Sequence, residues 1–237
     1  MKNFLIVTGT RAEYGLLKNL IKDLKLKPNI NVKLVVTGTH LSSNYGNTAE
    51  EICNDNVPID HYLNMLLDCK NKSGTIKSSA LLQLGIAELF QIYEPDLLIT
   101  LGDRYEMHAV CTAAMLANIP IAHIHGGELT QGLIDDAIRH SITKMSHIHF
   151  AVAEEYKRRI IQMGELPSSV YNVGGLGVDS ILKSRILAKR DLENDIGFKF
   201  DDKSLLVTHH PTTLETSSYN IEEINNILSA LDHFSDI

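Results

Sequence analysis

Three acidic side chains stand where acid/base chemistry needs them. Asp103 comes one glycine after the apolar run Leu97 to Leu101, and Glu128 follows the run Ile119 to Ile124 across the pair Gly126-Gly127. Runs of that length bounded by glycine read as buried strands, and neighbouring strands of one sheet bring the residues at their carboxyl ends to a common rim. Asp135 stands four residues before Arg139 in a stretch with helical patterning, so the two share a helix face. Each acid also has a structural explanation, Asp103 as an N-cap and Asp135 as an i,i+4 ion pair worth only a few tenths of a kcal/mol. Taken singly, those explanations are as good as function. Three carboxylates on one rim are harder to absorb, and they suit a reaction in which protons are taken up and returned.

Other residues have the chemistry to hold an anion. Gly9-Thr10-Arg11 lies between the first apolar run and the first amphipathic stretch, where backbone N–H groups and the helix dipole favour a phosphate and Arg11 can add a planar donor pair. A plain tight turn is the competing reading. The dinucleotide pattern GxGxxG is absent, because Gly9 is followed by Arg11 and Ala12, so no nicotinamide cofactor is expected and no other cofactor is called for. Five of the 11 histidines (His123, His125, His140, His147 and His149) crowd into 27 positions, yet no HExxH or similar ligand spacing occurs, and no metal site is expected. His209-His210-Pro211 follows an expected strand, Leu205 to Thr208, which would place His210 to face a ligand's charged group across a cleft.

The elements that must position these residues are visible as an alternation. Short apolar runs (Phe4 to Val7, Val32 to Val36, Leu97 to Leu101, Ile119 to Ile124) are followed by longer amphipathic or polar stretches expected to be helical, the pattern of βα units on a parallel sheet buried on both faces. His147 to Ala153 reads as a further strand, Glu154 to Met163 as a charged helix, and roughly Ile221 to Phe234 as the last helix. Gly174, Gly175 and Gly177 mark a hinge, with a domain over 1–173 and the start of a second over 174–237. The 22 basic against 29 acidic residues, a net charge of -7 without a long basic run, argue against nucleic acid as a partner. Three cysteines, Cys53, Cys69 and Cys111, suggest neither a disulfide framework nor a zinc knuckle. The apolar stretch after Lys2 is too brief for a signal sequence or membrane span, so no membrane partner and a cytoplasmic location are expected.

In combination the motifs are more specific. Gly9-Thr10-Arg11-Ala12-Glu13-Tyr14-Gly15, Leu101-Gly102-Asp103-Arg104-Tyr105-Glu106, Ile124-His125-Gly126-Gly127-Glu128, Asp135-Asp136-Ala137-Ile138-Arg139-His140, Asn172-Val173-Gly174-Gly175-Leu176-Gly177 and His209-His210-Pro211-Thr212-Thr213 follow one another along the whole chain. This set resembles the hydrolysing branch of the UDP-N-acetylglucosamine 2-epimerase family. The resemblance implies two Rossmann-like domains in a GT-B arrangement, with a UDP-binding second domain that should run well beyond Ile237. It implies a UDP-sugar as partner, catalytic roles for Asp103, Glu128, Asp135 and Arg139, and substrate binding by Gly9, Arg11, Gly175 and His210. A homo-oligomer is expected for the full-length protein, and little activity for the 237-residue chain by itself. Leu16 stands where the non-hydrolysing branch has lysine, which favours release of N-acetylmannosamine for sialic acid synthesis. Three alternatives stay open: a non-hydrolysing epimerase, a GT-B glycosyltransferase, and a non-catalytic nucleotide-sugar binder. The sequence does not separate UDP-N-acetylglucosamine from a 4-acetamido-4,6-dideoxy relative.

Overall fold

Strand β1, Lys2–Thr8, is hydrogen-bonded on both edges and organises everything else. The computed structural model describes residues 1–67, 72–184, 186–211 and 215–234. β1 leads to helix α1, Arg11–Lys25, then β2, Ile30–Thr37; two short 3-10 turns and α2, Ala49–Asn54, precede β3, His61–Leu63. Next come α3, Lys72–Tyr93; β4, Leu97–Leu101; α4, Tyr105–Leu116; β5, Ile121–Ile124; α5, Ile134–Met145; β6, Ile148–Ala151; α6, Glu154–Gln162; and β7, Val170–Asn172. All paired strands are parallel, in the order β3-β2-β1-β4-β5-β6-β7, a Rossmann-like α/β sheet as the alternating runs predict.

Both faces of this sheet are buried. Leu5, Val7 and Val35 point into one core with α3 and α4, while Ile6, Leu34 and Val36 point into the other with Tyr14, Leu17 and Ile21 of α1. That split follows from the two-residue period of a strand. Thr10 caps α1 by accepting from the Glu13 amide, and the Glu13 carboxylate reaches back to the Thr10 amide, a complete capping box. The order reverses beside β1, with β2 on one side and β4 on the other, and ligands of open α/β sheets bind at the carboxyl ends of strands near such a reversal.

Three elements differ from the sequence expectations. α3 spans 22 residues and was not marked by an amphipathic stripe, because its apolar residues run around the whole helix. The polar helix expected after Val36 is instead the turns Gly38–Leu41 and Ser43–Tyr45 followed by α2, which has six residues. Leu205 to Thr208 is not a strand, and Leu206 is 96% exposed. A strand exists by pairing, and no partner for this run occurs among the described residues.

The chain divides into two compact units, Met1–Thr130 with Asp135–Leu182, and Gln131–Ile134 with Lys183–Ile237. The first contains the sheet and most of α7, Leu176–Lys183, which follows the glycine segment; Leu176 packs on the α1 core and Ser180 donates to the Gly15 carbonyl. The second contains α8, Lys189–Ile196, and α9, Ser217–Leu231. Within it the rings of Phe198 and Phe200 meet edge to face, and Glu193 accepts from the Phe200 amide at 2.9 Å.

Candidate functional site

The rim between β4 and β5 collects the acidic residues. β4 is followed by Gly102, whose φ of +79° turns the chain sharply and lifts Asp103 clear of the strand. Arg139 of α5, almost fully buried, ion-pairs through Nη2 with Asp103 Oδ2 and donates from Nη1 to Thr130 Oγ1 at 2.9 Å. Asp135 lies one turn earlier on α5, close enough for its charge and that of Glu128 to bear on Asp103. Burial raises the Asp103 pKa above the ordinary carboxylate value; Arg139 opposes the shift, and Asp135 and Glu128 add to it.

Glu128 is pushed the other way. Burial alone would raise it, but the hydrogen bond from His125 and the nearby charge of Arg139 outweigh that and hold its carboxyl below the usual range. The turn that carries it is tightly constrained. His125 has φ +66°, unusual for a residue with a side chain, and its Nδ1–H donates to Glu128 Oε1 at 2.8 Å. Gly127 has φ +80°, and a Cβ there would lie 2.5 Å from the Tyr156 carbonyl oxygen. Beneath the turn His123, fully buried and held neutral by burial with a pKa of about 3, donates from Nε2 to the Gly102 carbonyl at 2.8 Å. This histidine therefore ties the Asp103 turn to β5. Asp136 accepts from the Thr130 amide at 2.8 Å and anchors the loop leading into α5.

The β1–α1 turn is a second cluster. The Gly9 and Thr10 amides donate to the carboxyl group of Glu13 at 2.7 and 3.1 Å, so a side chain of the protein itself already occupies these donors. Glu13 is buried, and desolvation raises its pKa to about 7. Arg104 forms a two-pronged pair with fully buried Glu106 at 2.8 and 3.1 Å, and the Glu106 side chain lies against Gly9. Arg11 is exposed, 3.7 Å from Glu51. On the β2 side of β4 is a cavity of about 1290 Å³ whose lining includes Ser43, Tyr45, Asn64, Lys72, Arg104 and Tyr105.

Asp103, Glu128, Asp135 and Arg139 thus share one rim, and Gly9 joins the neighbouring turn. Gly175 stands in open space just before α7, and His210 is an exposed residue of the second compact unit; Thr212, Thr213 and Cys69 lie outside the described residues. Sequence reasoning passed over Glu13 and Glu106, although the Thr10-x-x-Glu13 capping-box spacing was available, and it did not pair His125 with Glu128. Among the described residues no group of three His, Cys, Asp or Glu comes together with metal-binding geometry.

The family model described as UDP-N-acetylglucosamine 2-epimerase matches residues 22–237. This chain belongs to that family. It is 40% identical over 236 residues to the polysialic acid biosynthesis protein P7 of Escherichia coli, covering 100% of this chain and 60% of that protein. It is 39% identical over 231 residues to the GDP/UDP-N,N'-diacetylbacillosamine 2-epimerase (hydrolyzing) of Campylobacter jejuni, covering 98% and 60%. The chain therefore spans about 60% of the length of these curated relatives. The solved UDP-GlcNAc 2-epimerase of Neisseria meningitidis bound to UDP-GlcNAc shares the fold, with a TM-score of 0.68 at 20% identity over 83% of this chain and 51% of that one. Membership gives the motifs a common context: the Leu101 to Glu106 and Ile124 to Glu128 segments are the two turns that form the acidic rim.

Proposed function

We propose that the complete protein is a hydrolysing UDP-sugar 2-epimerase that converts UDP-N-acetylglucosamine to UDP and N-acetylmannosamine, supplying sialic or related nonulosonic acid synthesis in the cytoplasm. The observation that carries this reading is one rim that gathers Asp103, Glu128 and Asp135, with Asp103 paired to buried Arg139 and Glu128 held by His125. A set of carboxylates held close together in this way can take up and return protons in turn. In the first stage a carboxylate takes the C2 proton, the C2–H electrons become a C1=C2 bond, and the C1–O bond to UDP breaks. Water then adds at C1, and a proton returns to C2 on the opposite face. Inversion requires proton carriers on both faces of the ring, which a single acid cannot provide. Arg139 holds Asp103 in place, and Arg11 and His210 would stabilise the leaving diphosphate, with Gly175 allowing close approach.

Residues 174–237 belong in this scheme to the start of a UDP-binding domain of a GT-B enzyme. Hydrolysis, as opposed to simple epimerisation, is supported by the Campylobacter relative and by Leu16 in place of lysine. A 2,4-diacetamido sugar is a second candidate substrate, because the relatives at 39% and 37% identity are diacetylbacillosamine epimerases. Turnover in heavy water, followed by NMR, tests the scheme. Deuterium should appear at C2 of the released sugar and solvent oxygen at C1. Protium retained at C2 excludes the elimination, and accumulation of a UDP-linked epimer excludes hydrolysis.

A further inference from the structure

We propose that His125 is a positioning residue for Glu128, the two forming one proton-carrying unit in which the imidazole N–H fixes the carboxylate and stays bonded to it as its proton comes and goes. This rests on the epimerase reading for its chemistry, but its geometry stands apart from it. The Nδ1 of His125 lies 2.8 Å from Glu128 Oε1. Reaching that position requires φ +66° at His125, a left-handed backbone that is strained for a residue with a Cβ. The turn is held from several sides. The His125 amide donates to the Phe150 carbonyl at 3.1 Å, Arg159 donates to the Gly127 carbonyl, and a Cβ on Gly126 would meet His123 Nδ1 at 3.0 Å. A loop needed only to join β5 to α5 has no use for that strain, whereas a loop that must aim one carboxylate does.

The partners also suit the task. The imidazole is half-buried and its Nε2 is buried without a hydrogen-bond partner among the described residues. The Glu128 bond is therefore the ring's defining side-chain interaction. Glu128 keeps 24% of its side chain exposed and so can meet a substrate from the rim. In the scheme above Glu128 carries one of the two C2 protons. The proton that leaves or rejoins carbon resides on its carboxyl in between, and the His125 N–H keeps the oxygens oriented during both transfers.

Two measurements decide it. Two-bond ¹H–¹⁵N spectra of the 237-residue chain should show neutral His125 as the Nδ1–H tautomer, and Glu128→Ala should move it toward the Nε2–H form. An Nε2–H ring in the unsubstituted chain, or a tautomer indifferent to Glu128→Ala, overturns the pairing. In the complete enzyme, His125→Asn, chosen because asparagine tolerates φ above zero, should lower kcat about a hundredfold with KM little changed. The double variant with Glu128→Gln should then be no slower than Glu128→Gln alone. Losses that multiply overturn the unit. Deuterium uptake at C2 by the unsubstituted enzyme is the separate control: its absence removes the epimerase reading, while the tautomer still decides the pairing.

Discussion

Arg139 reaches Asp103 across 36 residues of sequence, and that single contact joins β4 to α5 at the rim. Asp103→Asn, Glu128→Gln and Asp135→Asn should each lower kcat by about a hundredfold or more in the complete enzyme with the fold intact, the loss expected for a proton carrier. Asp136→Asn should change kcat little. Its carboxylate accepts from the Thr130 amide and stands 3.6 Å from His140, so a lowered melting temperature is the expected effect. Steady-state kinetics and thermal melts of the four variants separate the roles, and near-normal turnover by any of the first three removes that residue from the mechanism. The carboxylates were legible because each follows a glycine at a strand end or stands a turn from an arginine. The histidines that hold them were not, since His123 bonding the Gly102 carbonyl and His125 bonding Glu128 depend on φ values and on register between strands, which residue spacing does not encode.

At the scale of elements, the glycines divide into those the packing requires and those it merely permits. Gly127→Ala would place a methyl 2.5 Å from the Tyr156 carbonyl at φ +80°, so a loss of about 2–4 kcal/mol is expected. Gly15→Ala, inside α1 with no atom within 4 Å of the new methyl, should instead stabilise by about 0.5–1 kcal/mol. Chemical denaturation reads both signs, and two changes of the same sign would contradict this division. Helices α3 and α4 raise a different issue. Ile76, Leu84 and Ile92 on α3 and Leu116 on α4 are 65–74% exposed, more apolar surface than a solvated helix pair needs. A second copy of the chain on this face would account for it. Leu84→Glu with Leu116→Glu should then convert a dimer to a monomer in sedimentation velocity, and an unchanged distribution would place any self-association elsewhere.

For the whole molecule, the buried titratable groups set how stability follows pH. His40 and His123 are fully buried, and desolvation lowers their pKa values from 6.5 to about 4 and about 3. On these two residues the unfolded chain therefore binds about one more proton than the native state at pH 6.5 and nearly two more by about pH 5.5, and stability falls on acidification. Glu13, raised from 4.5 to about 7, acts oppositely, favouring the native state at low pH and losing that contribution as pH rises toward 7. Between about pH 4.5 and 6 these three groups together leave one proton's difference, a contribution of about 1.4 kcal/mol per pH unit to the slope. Maximum stability is expected near pH 7. Glu13→Gln should move the maximum upward by keeping the side chain neutral, and a maximum unmoved by Glu13→Gln would show that Glu13 is not buried as a protonated acid.

The parallel sheet was legible from its apolar runs, and the seven-strand order was not. Short β3 and β7 carry little pattern, and the apolar surround of α3 gives no face to read. The placement of β1 between β2 and β4 also has a consequence in time. One edge of β1 finds its partner within about thirty residues, as Lys2 pairs with Ile30, but the other waits for Leu97 opposite Phe4. At roughly 5–20 residues per second of synthesis, that second edge stays open for on the order of 3–13 seconds after the first has closed. When β4 emerges, Asp96 accepts from the Asn3 amide at 2.8 Å and from Lys2 at 2.6 Å, a latch one residue ahead of the strand that selects its register. A nascent chain stalled before Asp96 would carry β1 as an unguarded edge, open to any extended segment that reached it first.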